Sequence, residues 1–262
     1  MVVAFAAFAG MPIGLYLPAD RFRNVVPPHA CGERSCVVDR CVDRPVTSAG
    51  ERAPILGEPP RTLLVVHGAG SGPGVFDDWR HWFAAARFVA PDLQEGLDAA
   101  RATMGDYADR VERAAKGAEA PLLLIGWSMG GLVAMMSAAR IHPAGIVLLE
   151  ASPPAEVGGF HPTAPPIQGG TFDPEHVYGP FPSGVRARPE SAVARSERAR
   201  GVSVPRLTCP SLVVSGAQFS QERGSAVAAF YGSRHLSFPT LDHWDLVLRP
   251  EVRESIGRLM WA

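Results

Sequence analysis

Leu122-Leu123-Leu124-Ile125-Gly126-Trp127-Ser128-Met129-Gly130-Gly131 is the stretch on which the reading of this chain turns. Four consecutive branched aliphatics predict a strand buried on both faces. The apolar run from Leu132 to Ile141, rich in Ala and Met, predicts a helix. Between them lies G-x-S-x-G. Gly126 and Gly130 flank Ser128 where a sharp strand-to-helix turn presses backbone segments together and leaves no room for a Cβ. Such a turn would hold Ser128 up at the carboxyl edge of a sheet.

Outward from this unit, strand and helix signals alternate. Thr62-Leu63-Leu64-Val65-Val66 reads as a buried strand running into His67-Gly68-Ala69-Gly70 and a Gly/Ser/Pro loop that ends at Gly74. Asp77 or Asp78 can cap a helix whose apolar face comprises Trp79, Trp82, Phe83 and Ala86. Arg87-Phe88-Val89-Ala90 predicts the next strand. Thr103 or Asp106 opens a helix through Tyr107, Val111 and Ala115, which Gly117 can terminate. Beyond the central unit, His142-Pro143 ends the helix, and Gly145 to Leu149 is a buried strand terminating in Glu150. Order resumes with a strand over Pro210 to Gly216, a helix over Ser225 to Tyr231 and a last strand over Arg234 to Phe238. A loop carrying Asp242, His243, Trp244 and Asp245 precedes a terminal helix through Ile256 and Leu259. The alternation predicts an α/β fold: a mostly parallel, doubly wound sheet covered on both faces. Between Ala151 and about Pro205 periodicity fails and Gly, Pro, His and aromatics dominate. We expect a cap or lid insertion at 151–205 within one domain spanning 1–262, with a short helix near Glu190 to Arg200.

A chain of 262 residues can bury one large core. Its formal charge of -1 gives no basic footprint for nucleic acid or an anionic membrane, and no segment reaches the length of an uninterrupted membrane span. A soluble protein with a small-molecule partner is expected, with no nucleic-acid or membrane partner; oligomeric state is not legible. Met1 to Leu17 is apolar but lacks the basic start of a secretory signal, and Gly10, Pro12 and Gly14 interrupt it. The expected location is therefore cytoplasmic, with export left open. The alternatives for this segment are a true start at Met11 or an N-terminal strand. Cys36-Val37-Val38 and Cys41-Val42 are short apolar runs that could form early strands. Cys31, Cys36 and Cys41 are spaced five apart, Cys209 stands alone, and only His29 lies near the first three. That spacing matches no zinc pattern, so structural or free thiols and no metal site are expected.

With G-x-S-x-G on a strand-turn-helix unit, a His-Gly-Ala loop upstream and a histidine loop downstream, the chain from about Arg61 to its end resembles the α/β-hydrolase superfamily. The resemblance implies a nucleophile at Ser128, an oxyanion hole from the N–H groups of Ala69 and Met129, and a catalytic base at His243. His67 is read as a loop-fixing residue, and His235, within the last strand, as structural. The usual acid position, beyond the strand ending at Gly216, reads Ala217-Gln218-Phe219-Ser220-Gln221 and offers no carboxylate before Glu222. Glu150 ends the strand after the Ser128 unit, a site some superfamily members use. Glu150 is accordingly the expected acid, with Glu222 as runner-up. An unpaired carboxylate at that strand end would otherwise suffer desolvation.

Serine needs a base within hydrogen-bond reach and a carboxylate orienting that base. The expectation is a serine hydrolase acting on a carboxylic ester, thioester or lactone, with no cofactor. Acyl transfer or elimination at the same site, and a catalytically silent binding protein, are the alternatives. Trp127, Phe160, Phe172, Tyr178 and Trp244 are the expected substrate-binding aromatics, which points to an apolar or partly aromatic substrate.

Overall fold

The computed structural model describes residues 53–204 and 206–261. The apolar N-terminal run, the early strand candidates and Cys31, Cys36 and Cys41 lie outside the described residues, as does that part of the expected domain. Eight strands and eight helices follow in chain order. They are β1 (Thr62–Val66), α1 (Asp77–Trp82), β2 (Arg87–Val89), α2 (Met104–Ala115), β3 (Leu122–Trp127), α3 (Met129–Ile141) and β4 (Gly145–Leu149). Next come β5 (Thr171–Phe172), α4 (Pro174–Tyr178), β6 (Glu190–Ser191), α5 (Ala192–Arg200) and β7 (Ser211–Ser215). The last are α6 (Ala226–Tyr231), β8 (Arg234–Ser237), α7 (Asp245–Leu248) and α8 (Pro250–Met260).

Six strands form one sheet in the order β2-β1-β3-β4-β7-β8, and every neighbouring pair is parallel. Parallel strands buried on both sides send alternate residues to opposite layers. Leu64, Val66, Leu124 and Leu148 pack with Val111 of α2, Leu132 of α3 and Val227 of α6. Leu63, Val65, Leu123 and Val147 pack with Trp79 of α1, Leu246 of α7 and Ile256 of α8. The expected doubly wound sheet is therefore present. No helix among the described residues is long and apolar enough to cross a membrane.

Local chemistry explains the element ends. Thr103 and Asp106, read as alternatives, form one capping box: the Thr103 side chain accepts the Asp106 N–H, and the Asp106 side chain accepts the Thr103 N–H. The α1 expectation needs correction. A 3₁₀ turn over Pro73–Phe76 precedes it, neither aspartate caps it, and the helix stops at Trp82. Because that turn brings Phe76 into the core, the buried face is Phe76, Trp79 and Phe83, and Trp82 is left 49% exposed. The helix expected from Ser225 starts one residue later, because a wider π turn occupies Ser220–Ser225. The segment after β4 holds more order than its composition suggested: β5 and β6 pair antiparallel, and α4 and α5 flank that pair.

The topology positions the site. After β1 the chain moves outward to β2, then crosses back to β3 on the other side of β1. Ligand crevices in open α/β sheets form at such a switch point, at the carboxyl ends of the strands. In register, Gly126 lies beside Val66 and Leu148, and Leu149 lies beside Trp127 and Val214. The residues that follow, His67, Ser128, Glu150 and Gly216, thus emerge along one edge.

Candidate active site

Ser128 sits between β3 and α3 with φ of 56° and ψ of -123°. Glu150, one strand over, has φ of 40°. Left-handed backbone costs a residue with a Cβ about 1–3 kcal/mol, so neighbouring contacts must enforce it. They do so by main-chain bonds: Ser128 N–H donates to Leu149 O (2.9 Å), Glu150 N–H to Val214 O (2.8 Å), and Ser152 N–H to Ser128 O (2.9 Å). The glycines serve the same turn. A Cβ at Gly126 would stand 2.5 Å from Gly130 O, and one at Gly130 would collide with the carbonyl oxygens of Val66 and His67.

Glu150 is fully buried. Its Oε1 accepts the Gly216 N–H at 2.7 Å, and its Oε2 accepts from His243 Nδ1 at 2.6 Å. That second bond assigns the imidazole proton to Nδ1 and leaves Nε2 as the acceptor. Glu222 makes no bond to His243 among the described residues; its carboxylate lies 3.3 Å from Arg223 Nε. The His243 loop is held from several sides. Trp127 Nε1–H donates to His243 O at 3.0 Å, and the Trp127 ring lies 5.0 Å from the imidazole and 4.6 Å from Trp244. The Phe219 ring meets the imidazole nearly perpendicularly with centroids 5.3 Å apart, and His243 N–H donates to Gln218 Oε1 at 3.3 Å. Burial depresses the His243 pKa; the Glu150 bond opposes this and the nearby Arg223 charge reinforces it.

The expected oxyanion donors occupy loop and helix starts. Met129 N–H opens α3, at the positive end of the helix dipole, and Ala69 belongs to the loop after β1. Neither amide has a protein acceptor among the described residues. His67 is buried, with Nδ1 bonded to Gly68 O (2.9 Å) and Nε2 accepting the Leu93 N–H (3.1 Å). Its role in this fold is to tie the β1 and β2 loops together. His235 Nε2 bonds Ser215 Oγ at 2.9 Å and makes no hydrogen bond to Glu150 or His243 among the described residues.

Two groups escaped the sequence reading. Glu190 is 1% exposed and accepts from Gly70 N–H (2.8 Å), Ser191 N–H (2.8 Å) and the Tyr107 hydroxyl. Burial and the Glu190 charge hold the Tyr107 phenol well above its usual range, so it stays protonated and donates. Arg188 bonds both Asp92 carboxylate oxygens (2.7 and 3.0 Å) and donates through Nε to Ser71 O (3.1 Å). Together they fasten the segment after β4 to the Gly68–Ser71 loop. Partners separated by 83 to 120 residues leave no local pattern to read. Glu190→Ala would leave three buried donors without an acceptor; we expect a loss of about 2–4 kcal/mol of stability, read as a lower thermal midpoint.

Of the expected substrate aromatics, Phe160 and Tyr178 line a cavity of about 350 Å³ beside Ser152. Phe172 packs behind Tyr178 at 5.8 Å. Trp127 is only 2% exposed, and it and Trp244 pack the His243 loop and are not part of that cavity's wall. No group of three or more His, Cys, Asp or Glu among the described residues could hold a metal ion, and Cys209 is a free thiol.

A family model described as the alpha/beta hydrolase family matches residues 63–259. The chain belongs to that family. Solved structures similar to this alpha/beta hydrolase include a pyrethroid hydrolase from Sphingobium faniae JZ-2 (19% identity, TM-score 0.54, 75% of this chain and 95% of that one). Another is reported with LipS and LipT, two metagenome-derived lipolytic enzymes (19%, 0.51, 80% and 98%). An extracellular alpha/beta-hydrolase from a Paenibacillus species is a third (16%, 0.51, 76% and 97%). At these identities the likeness shows the fold. No curated protein matches the chain.

Proposed function

We propose that this alpha/beta hydrolase is a serine hydrolase cleaving a carboxylic ester, thioester or lactone of apolar or partly aromatic character. Ser128 Oγ attacks the acyl carbon while His243 Nε2 takes its proton, and Glu150 stabilises the resulting imidazolium. The N–H groups of Ala69 and Met129 receive the charge that develops on the carbonyl oxygen. Histidine then returns the proton to the leaving oxygen or sulfur, and water repeats the sequence on the acyl-enzyme. The observation that carries this reading is the 2.6 Å bond from His243 Nδ1 to fully buried Glu150, beside a serine on a strained turn.

The test is labelling with a fluorophosphonate, with the adduct located by peptide mass spectrometry. A single adduct on Ser128, absent from Ser128→Ala, is expected; an active protein left unlabelled there would defeat the proposal. Turnover of 4-nitrophenyl esters in ¹⁸O-water should place one ¹⁸O in the acid product, which neither transfer nor elimination would do. The pH profile offers a further check. The base works only when neutral, and burial lowers its pKa from 6.5, so kcat/KM should hold its plateau on acidification and fall only below pH 6.5. An acid limb centred above that value would contradict the assignment of His243.

A further inference from the structure

The 350 Å³ cavity adjoins the turn that carries Ser128 without including it: Ser152, part of the wall, donates its N–H to the Ser128 carbonyl, and Arg223 of the wall shares the Phe219 ring with His243. Its size suits a small ligand. Phe160, Ile167 and Tyr178 make part of the wall apolar. Its charged residues are mostly cationic: Arg195, Arg198 and Arg223 line it, against one carboxylate, Glu222. This is more positive charge than a pocket for an apolar ester requires.

Arg223 is the centre of this imbalance. Its side chain is only 20% exposed, and its guanidinium stacks on Phe219 at 3.9 Å, the same ring that packs on His243. Its buried Nε has no hydrogen-bond acceptor among the described residues; the chain-neighbour Glu222 is 3.3 Å away but poorly aligned. Burial and the Arg198 charge both push the Arg223 guanidinium below its usual pKa. Arg198 meanwhile donates to the Tyr178 hydroxyl at 2.6 Å, a neutral acceptor that does not balance its charge. Two guanidiniums facing one cavity with donors to spare have the geometry of a site for a planar, bidentate anion.

We propose that this cavity binds a carboxylate of the substrate, so that the scissile acyl group sits at Ser128 and a carboxylate at the far end of its apolar chain is held by Arg223 and Arg198. This names the substrate class of the proposed hydrolase and rests on that reading: the substrate is a monoester of a dicarboxylic acid.

The experiment compares two near-isosteric substrates, mono-4-nitrophenyl adipate and 4-nitrophenyl hexanoate, in which a carboxylate replaces a methyl group. The wild-type kcat/KM ratio should favour the adipate by about 10-fold or more, the size expected of a charge-assisted bidentate contact. Arg223→Gln and Arg198→Gln should each bring the ratio toward one. Because Arg223 also acts on His243, the ratio is the proper readout: any effect on the base is shared by both esters and cancels. Hexanoate turnover with no preference for adipate, or a preference unchanged in both variants, would overturn the inference and leave the hydrolase reading standing. Calorimetric titration of mono-4-nitrophenyl adipate into Ser128→Ala supplies a readout independent of turnover. Saturable binding, weakened about 10-fold by adding Arg223→Gln, is expected. No binding would overturn the proposal, whereas binding without any wild-type turnover or fluorophosphonate adduct would overturn the hydrolase reading alone.

Discussion

Ser128→Ala is expected to lower kcat for ester hydrolysis by roughly 10⁵-fold or more, in line with removal of a nucleophile whose partners act as a unit. Folding should hardly register the change. Among the described residues Ser128 is held by main-chain bonds and none to its hydroxyl, and the residue is only partly buried. The bonds that enforce its φ of 56° are main-chain bonds, which alanine keeps. The thermal midpoint should therefore stay within the small range of a neutral substitution, about 0.5 kcal/mol in stability. Steady-state kinetics beside thermal denaturation checks both halves. Turnover surviving above a hundredth of wild type, with the fold intact, would mean that another group attacks.

Glu150→Gln is expected to cost roughly 10⁴-fold in kcat, the loss typical when the orienting acid of a serine triad is amidated. In the wild type both carboxylate oxygens accept, one from Gly216 N–H and one from His243 Nδ1–H. A glutamine can accept at only one of them. If its oxygen faces Gly216, its amide N–H meets Nδ1 and forces the imidazole proton to Nε2, the nitrogen that must accept from Ser128 in the proposed mechanism. If its oxygen faces His243, two donors oppose each other in a site with no water-exposed carboxylate surface. Glu222→Gln, by contrast, touches a partly exposed side chain, 35% accessible, whose close partner is Arg223. Its kcat should change by less than about 10-fold, since rim charges contribute modestly. A large loss in Glu222→Gln with normal Glu150→Gln turnover would reverse the assignment of the acid.

Much of the architecture was legible because its signals are local. Buried parallel strands appear as unbroken aliphatic runs at Thr62–Val66, Leu122–Trp127, Gly145–Leu149 and Ser211–Ser215. The α2 cap could be read from Thr103 and Asp106 three residues apart. The α1 boundary could not, because the 3₁₀ turn that displaced its apolar face depends on where Phe76 finds a core.

For the candidate site the division is equally physical. By itself the sequence determined the strand-turn-helix unit around Ser128, the loops that follow β1 and β8, and the absence of a carboxylate between Gly216 and Gln221, since each is a matter of adjacent residues. Only the tertiary structure decided that Glu150 Oε2 and His243 Nδ1, 93 residues apart, come within 2.6 Å, and that Glu150 is oriented by Gly216 just past the end of β7. It also decided that Glu190 pins the Ala69 loop and that Arg198 and Arg223 converge on one cavity. Those meetings are set by strand order and register. A parallel sheet brings distant carboxyl ends to one edge, and which side chains then share a low-dielectric space follows from packing, not from spacing along the chain.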